Sequence, residues 1–184
     1  MKLSLLSILL GLGLGSIQAY GLARPAAYTA ALRRLPRSLA WGNALVTLAT
    51  VWFLWNLGHE NIADFAALKP YLMVGFGAIG LGTCLFVQDY LGARGLALVF
   101  LLLAKLMVDT GRPHLAETHW VWVIQTWAYA LVLAGIWFTV SPYRLRDIIQ
   151  WGTATERRLK MGCSLKLAFA VLVLGLGLTV FRGM

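Results

Sequence analysis

Arg24-Pro25-Ala26-Ala27-Tyr28-Thr29-Ala30-Ala31-Leu32-Arg33-Arg34-Leu35-Pro36-Arg37 separates two long apolar runs, and its reading decides the fold. Tyr28, Leu32, Leu35 and Leu39 recur at helical spacing on one face, while Arg33, Arg34 and Arg37 fall on the other. Pro25 suits the first turn of a helix, and Pro36 should stop or kink it. Such a helix lies along a membrane surface, with its apolar side among the acyl chains. The runs on either side are then membrane spans.

The rest of the chain agrees. It has 184 residues, 60% of them hydrophobic and only 12% charged, about half the charge expected of a soluble domain. The spacing predicts an all-α polytopic membrane protein forming a single transmembrane domain over residues 1–184. Six spans are expected, at about 3–22, 39–57, 70–87, 93–108, 119–140 and 156–181, arranged as three hairpins. Two short amphipathic helices on the cytoplasmic surface complete the fold.

The N-terminal run from Met1-Lys2 through Ser16-Ile17-Gln18-Ala19 has the outline of a secretory signal peptide. It is read here as the first span, in which Gly11 and Gly15 form a small-residue face for close helix approach. Gln88-Asp89-Tyr90 with Gly92-Ala93-Arg94-Gly95 reads as a tight turn before a short fourth span. Ser141-Pro142 opens the second amphipathic helix, with Leu145, Ile148 and Ile149 opposing Arg146, Asp147 and Gln150. Thr153-Ala154-Thr155-Glu156 has the spacing of a capping box at the start of the last span.

Charge sets the orientation. The net charge is +9, yet the cations lie between apolar runs, so they point to topology and anionic lipid headgroups rather than nucleic acid. Arg33, Arg34 and Arg37 follow span one. Arg144, Arg146, Arg157, Arg158 and Lys160 follow span five, and Arg94 follows span three. These are expected to contact lipid or a partner on the cytoplasmic side. Both termini then lie outside, as in a multi-pass protein of a bacterial inner membrane. Trp52, Trp55, Trp120 and Trp122 form an outer interfacial belt, with Trp41 and Trp151 on the inner side.

That topology gathers His59, Glu60, Asp64, Asp109, Arg112, His114, Glu117 and His119 on the outer face, where the loop at 109–119 should meet the loop at 59–69. Imidazole and carboxylate together can ligate a metal or relay protons. However, His114 and His119 are five apart and beside Pro113, which is no metal-binding spacing, so the metal and any cofactor are left unassigned. Cys84 and Cys163 give neither a disulfide framework nor a metal motif. Lys105 and Asp109, one turn apart near the end of span four, form a candidate intramembrane charge pair. Gln125 and Tyr129 could face the bundle interior.

Three function classes follow. The first expectation is a non-catalytic structural or accessory subunit, with other membrane protein subunits as partners. The second is a small oligomeric transporter or channel using Lys105, Asp109 or Gln125. The third is an outer-face metal, haem or quinone redox protein using His59 with His114 or His119.

Overall fold

A computed structural model describes residues 2–61 and 63–183, with the side chains of residues 63–65 outside that description. Among the described residues the fold is wholly helical. The α-helices are α1 (Leu3–Ala23), α2 (Pro25–Arg34), α3 (Leu39–His59), α4 (Lys69–Phe86), α5 (Leu91–Gly111), α6 (Val121–Val140), α7 (Tyr143–Gly152) and α8 (Glu156–Leu178). Five stretches, containing α1, α4, α5, α6 and α8, are long and apolar enough to cross a membrane. A sixth is added if α2 and α3, which meet at a 68° bend, are counted together. The architecture is that of a multi-pass helical membrane protein.

Proline and capping chemistry set many of the boundaries. Arg24 precedes Pro25 and leaves helical geometry, at φ −135° and ψ 67°, so α1 stops there. Leu35–Arg37 tightens into a 3-10 turn around Pro36, and Ser38 then caps α3 by accepting from the Trp41 amide. The amphipathic stripe drawn through Leu35 and Leu39 is therefore split between two elements. Pro70 sits in the first turn of α4, where its missing N–H removes no hydrogen bond.

Two local expectations are corrected. The turn before α5 is made by residues 87–90 alone, with Tyr90 in the left-handed region at φ 53°. Gly92 and Gly95 lie inside α5, which runs to Gly111 and is longer than the short span expected. Gly92 is required by proximity: a Cβ there would collide with the Leu35 carbonyl oxygen. At the start of α8 the cap is Thr155, whose hydroxyl accepts from the Arg158 amide, rather than Thr153. Thr153 instead donates to the Ile149 carbonyl at 2.7 Å and closes α7.

The helices pack into two compact units. One comprises residues 1–33, 103–133 and 146–184. Its core is built from Leu3 and Leu6 of α1, Ala104 and Met107 of α5, Val121, Ile124 and Ala128 of α6, and Val173 of α8. Here α1 and α8 run antiparallel along a seam of small residues. A Cβ at Gly11 would stand 2.8 Å from the Leu174 amide nitrogen, and one at Gly177 would stand 3.0 Å from the Ser7 Cβ. Gly15 faces Ala170 further along, so the expected small-residue face of span one is this seam.

The other unit comprises residues 34–102 and 134–145. Its α3 and α4 form an antiparallel hairpin in which Gly80 receives Thr50 and Phe53 meets Phe76 edge-on at 4.9 Å. The first half of α5 packs alongside α3, with Gly42 against Leu91 and Gly95 against Leu45 and Val46.

Candidate functional site

The polar residues singled out in the sequence fall into several local groups. His59 ends α3, its Nδ1 2.8 Å from the Trp55 carbonyl and its ring 4.6 Å from the Trp55 indole. Lys69 reaches back across this hairpin and donates to the carbonyls of Gly58 (2.6 Å) and Glu60 (3.0 Å). An ammonium here answers the carbonyls that the end of α3 leaves without intrahelical partners. The side chain of Asp64 lies outside the described residues.

In the last turns of α5 and beyond it the polar groups pair locally. Lys105 Nζ donates to Asp109 Oδ2 at 2.6 Å, with the side chains 45% and 55% exposed. This is the charge pair expected from the i, i+4 spacing, and it stands on an open face of α5. His114 Nδ1 lies 3.0 Å from Glu117 Oε2 across the turn leading into α6. Arg112 and His119 are exposed. Among the described residues, no group of three His, Cys, Asp or Glu side chains could hold a metal ion together.

Gln125 has a different role. It is buried on α6, and its Nε2 donates to the Val108 carbonyl in the last turn of α5 at 3.3 Å. Gly111 makes room for it, since a Cβ there would come within 2.6 Å of that nitrogen. The signal was present in the sequence as a glutamine in an apolar helix. What the sequence could not give was the carbonyl it serves. Tyr129, one turn on, is exposed rather than interior.

The basic residues make a second set of contacts. Arg33 Nε donates to Thr153 Oγ1 at 2.9 Å and its terminal nitrogen to the Thr153 carbonyl at 2.8 Å, fixing α2 to the turn between α7 and α8. Arg37 donates to the Tyr90 hydroxyl at 3.0 Å and lies over its ring. Arg144 lies over Tyr143, and Arg158 over Trp151. Arg146 pairs with Asp147 at 2.7 Å, and Lys160 with Glu156 at 2.6 Å. Arg34 and Arg157 are exposed.

A buried polar node beneath α2 was not anticipated. The Tyr28 hydroxyl reaches Gln18 Oε1 at 3.4 Å, and the Tyr28 ring packs against Leu159 and Cys163 of α8 and beside Gly21. Burial pushes the Tyr28 phenol above its ordinary range, with Cys163 adding to the rise and the Gln18 hydrogen bond opposing it. The node anchors α2 to both helices of the seam.

Compared with protein-family models, curated proteins and solved structures, the chain matches none. What stands on its own geometry is a multi-pass helical protein whose polar side chains largely cap helix ends and pair with near neighbours.

Proposed function

We propose that this chain is a six-span protein of a bacterial inner membrane and a non-catalytic subunit of a larger membrane protein complex. In this reading α1, α3, α4, α5, α6 and α8 cross the bilayer. The helices α2 and α7 lie along the cytoplasmic surface among anionic headgroups, and both termini are outside. Support for grouping the basic segments on one side comes from Arg33 reaching Thr153 and Arg37 reaching Tyr90. The positive-inside rule makes that side cytoplasmic.

One observation carries the subunit reading: the bare face of α4. Only 6% of its apolar stretch is buried, against 44% for the stretch containing α5. Gly80 and Gly77 of α4 face Thr50 and Leu54 of α3. A second set of small residues, Gly75, Ala78 and Gly82, sits at i, i+3 and i+7 on another side. Beside Gly75 there is open space, and beside Gly82 only Phe86 of the same helix. Glycines in a span weaken the helix unless another helix comes close enough to use them. Large exposed side chains flank them, including Tyr71 at 76% and Phe86 at 85%. A helix of another chain packing on this face would use those glycines.

The test is gentle detergent extraction from the native membrane through a tag on this protein, with mass spectrometry of what is retained. Stoichiometric membrane partners are expected. Recovery of the chain alone or as a homo-oligomer overturns the subunit reading. A second reading, a small oligomeric transporter or channel, is favoured by Lys105 and Asp109 standing exposed near the end of α5. Solute or ion flux in liposomes, lost in Asp109→Asn, would select it.

A further inference from the structure

The first turns of α8 hold a groove that the subunit reading does not use. It is shallow and largely open, with a volume of about 780 Å³, and is formed by one face of α8 alone: Glu156, Arg157, Lys160, Met161, Ser164 and Leu165. All six side chains are exposed. Charged groups of both signs occupy the first turn or so, at Glu156, Arg157 and Lys160. Met161 and Leu165, 63% and 75% exposed, continue the groove as an apolar strip, with the Ser164 hydroxyl between them. From Arg157 to Leu165 the helix rises about 12 Å, enough for a headgroup and the first carbons of an acyl chain.

We propose that this groove binds one phospholipid bearing a primary amine, with its phosphate on Arg157 and Lys160, its ammonium on Glu156 and an acyl chain along Met161 and Leu165. The inference rests on α8 crossing a membrane and not on the chain having protein partners. Charge complementarity selects the headgroup. Arg157 makes no ion pair among the described residues and offers a planar fork suited to phosphate. Lys160 is held 2.6 Å from Glu156, so any anion drawn to Lys160 also meets a carboxylate. A glycerol headgroup brings a negative phosphate and offers that carboxylate neutral hydroxyl donors but no cation. A choline headgroup has no N–H to donate. An ethanolamine ammonium donates three, and it lets Glu156 exchange Lys160 for the lipid while Lys160 turns to the phosphate. The neighbouring Arg158 is engaged differently, lying over Trp151 at 5.5 Å.

The experiment is native mass spectrometry of the full chain, delipidated in detergent and titrated in parallel with phosphatidylethanolamine, phosphatidylglycerol and phosphatidylcholine of identical acyl chains. One phosphatidylethanolamine is expected to be retained in preference to either competitor by about fivefold, the scale of one solvent-exposed ion pair. Glu156→Gln should reverse the order in favour of phosphatidylglycerol, and Arg157→Gln with Lys160→Gln should abolish retention of both. Equal retention of the three lipids by the native chain overturns the proposal. So does an unchanged preference in Glu156→Gln, a substitution at an exposed side chain that decides the matter even if the double variant fails to fold.

Discussion

The pair α1–α8 and the pair α3–α4 are built from similar material and finished differently. Each is an antiparallel couple of long apolar helices brought together at glycines. In the first, Gly11, Gly15 and Gly177 lie on the seam, and both helices contribute residues to a shared core with α5 and α6. In the second, Gly80 and Gly77 are used against α3, while Gly75 and Gly82 face no other helix among the described residues. The share of buried residues follows, at 28% for α1 and for α8 but 6% for the stretch containing α4. Without a hydrophobic force between helices in lipid, close backbone approach is the main source of helix affinity. A glycine face that meets another helix is cohesion already used, and one left open is cohesion in reserve.

The sharpest way to break the comparison is to fill both kinds of glycine. Gly11→Leu drives a side chain into the Leu174 backbone, which cannot rotate away. It should destabilise the isolated protein by about 1–3 kcal/mol or more, the range for overpacked cores. Thermal unfolding in detergent should show a clear drop. Gly75→Leu enters open space and should leave that transition within about 0.5 kcal/mol of the native one. Its effect should fall on co-purified partners, which should be lost. If both substitutions lower the unfolding temperature equally, the two pairs do not differ in how their glycines are used.

Gln125 sharpens the contrast from inside the well-packed unit. Gln125→Leu keeps the volume but removes the side-chain donor from the Val108 carbonyl. Hydrogen bonds between spans average about 0.6 kcal/mol and reach about 1.7. A loss in the upper part of that range is expected, because the site is buried and Gly111 is shaped to admit the amide. Unfolding of the purified variant measures it. Gly111→Ala should lose a similar amount for the same reason, and the double variant should lose less than the sum of the two, since both act on one contact.

The wholly helical, multi-span character could be read from the chain, because the apolar runs and the prolines each carry their own physics. The breaks at Pro25 and Pro36 are local and steric, so they fall where the sequence says. The small-residue face of span one is likewise explicit in Gly11 and Gly15. The turn before α5 was misjudged because glycine has two uses, conformational freedom and closeness. Only the position of the Leu35 carbonyl reveals that Gly92 serves the second. The cap of α8 was misjudged because Thr153 and Thr155 have equal capping chemistry, and Arg33, distant in sequence, claims the first. The Lys105–Asp109 pair was legible from spacing alone, whereas the carbonyls served by Lys69 and Gln125 exist only in the assembled fold.

Lys69 gives the smallest effect and the most discriminating one for the exposed hairpin. Its ammonium holds the carbonyls of Gly58 and Glu60 and so ties the end of α3 to the start of α4. The site is solvated, so its contribution is limited to about 0.3–1 kcal/mol, the range for a cation at a helix C-terminus. Lys69→Ala should therefore barely move global unfolding, yet it should speed amide hydrogen exchange at Glu60, whose N–H bonds the Asn56 carbonyl in the last turn of α3. Salt should reproduce part of the change in the native protein, because an exposed charge is screened. In the α1–α8 pair exchange should stay unchanged under both treatments, since packing at Gly11 and Gly177 contains no charge to screen. Should Lys69→Ala instead loosen α3 and α4 along their whole length, this one ammonium would be the clasp of the hairpin, and Thr50 in Gly80 only its filling.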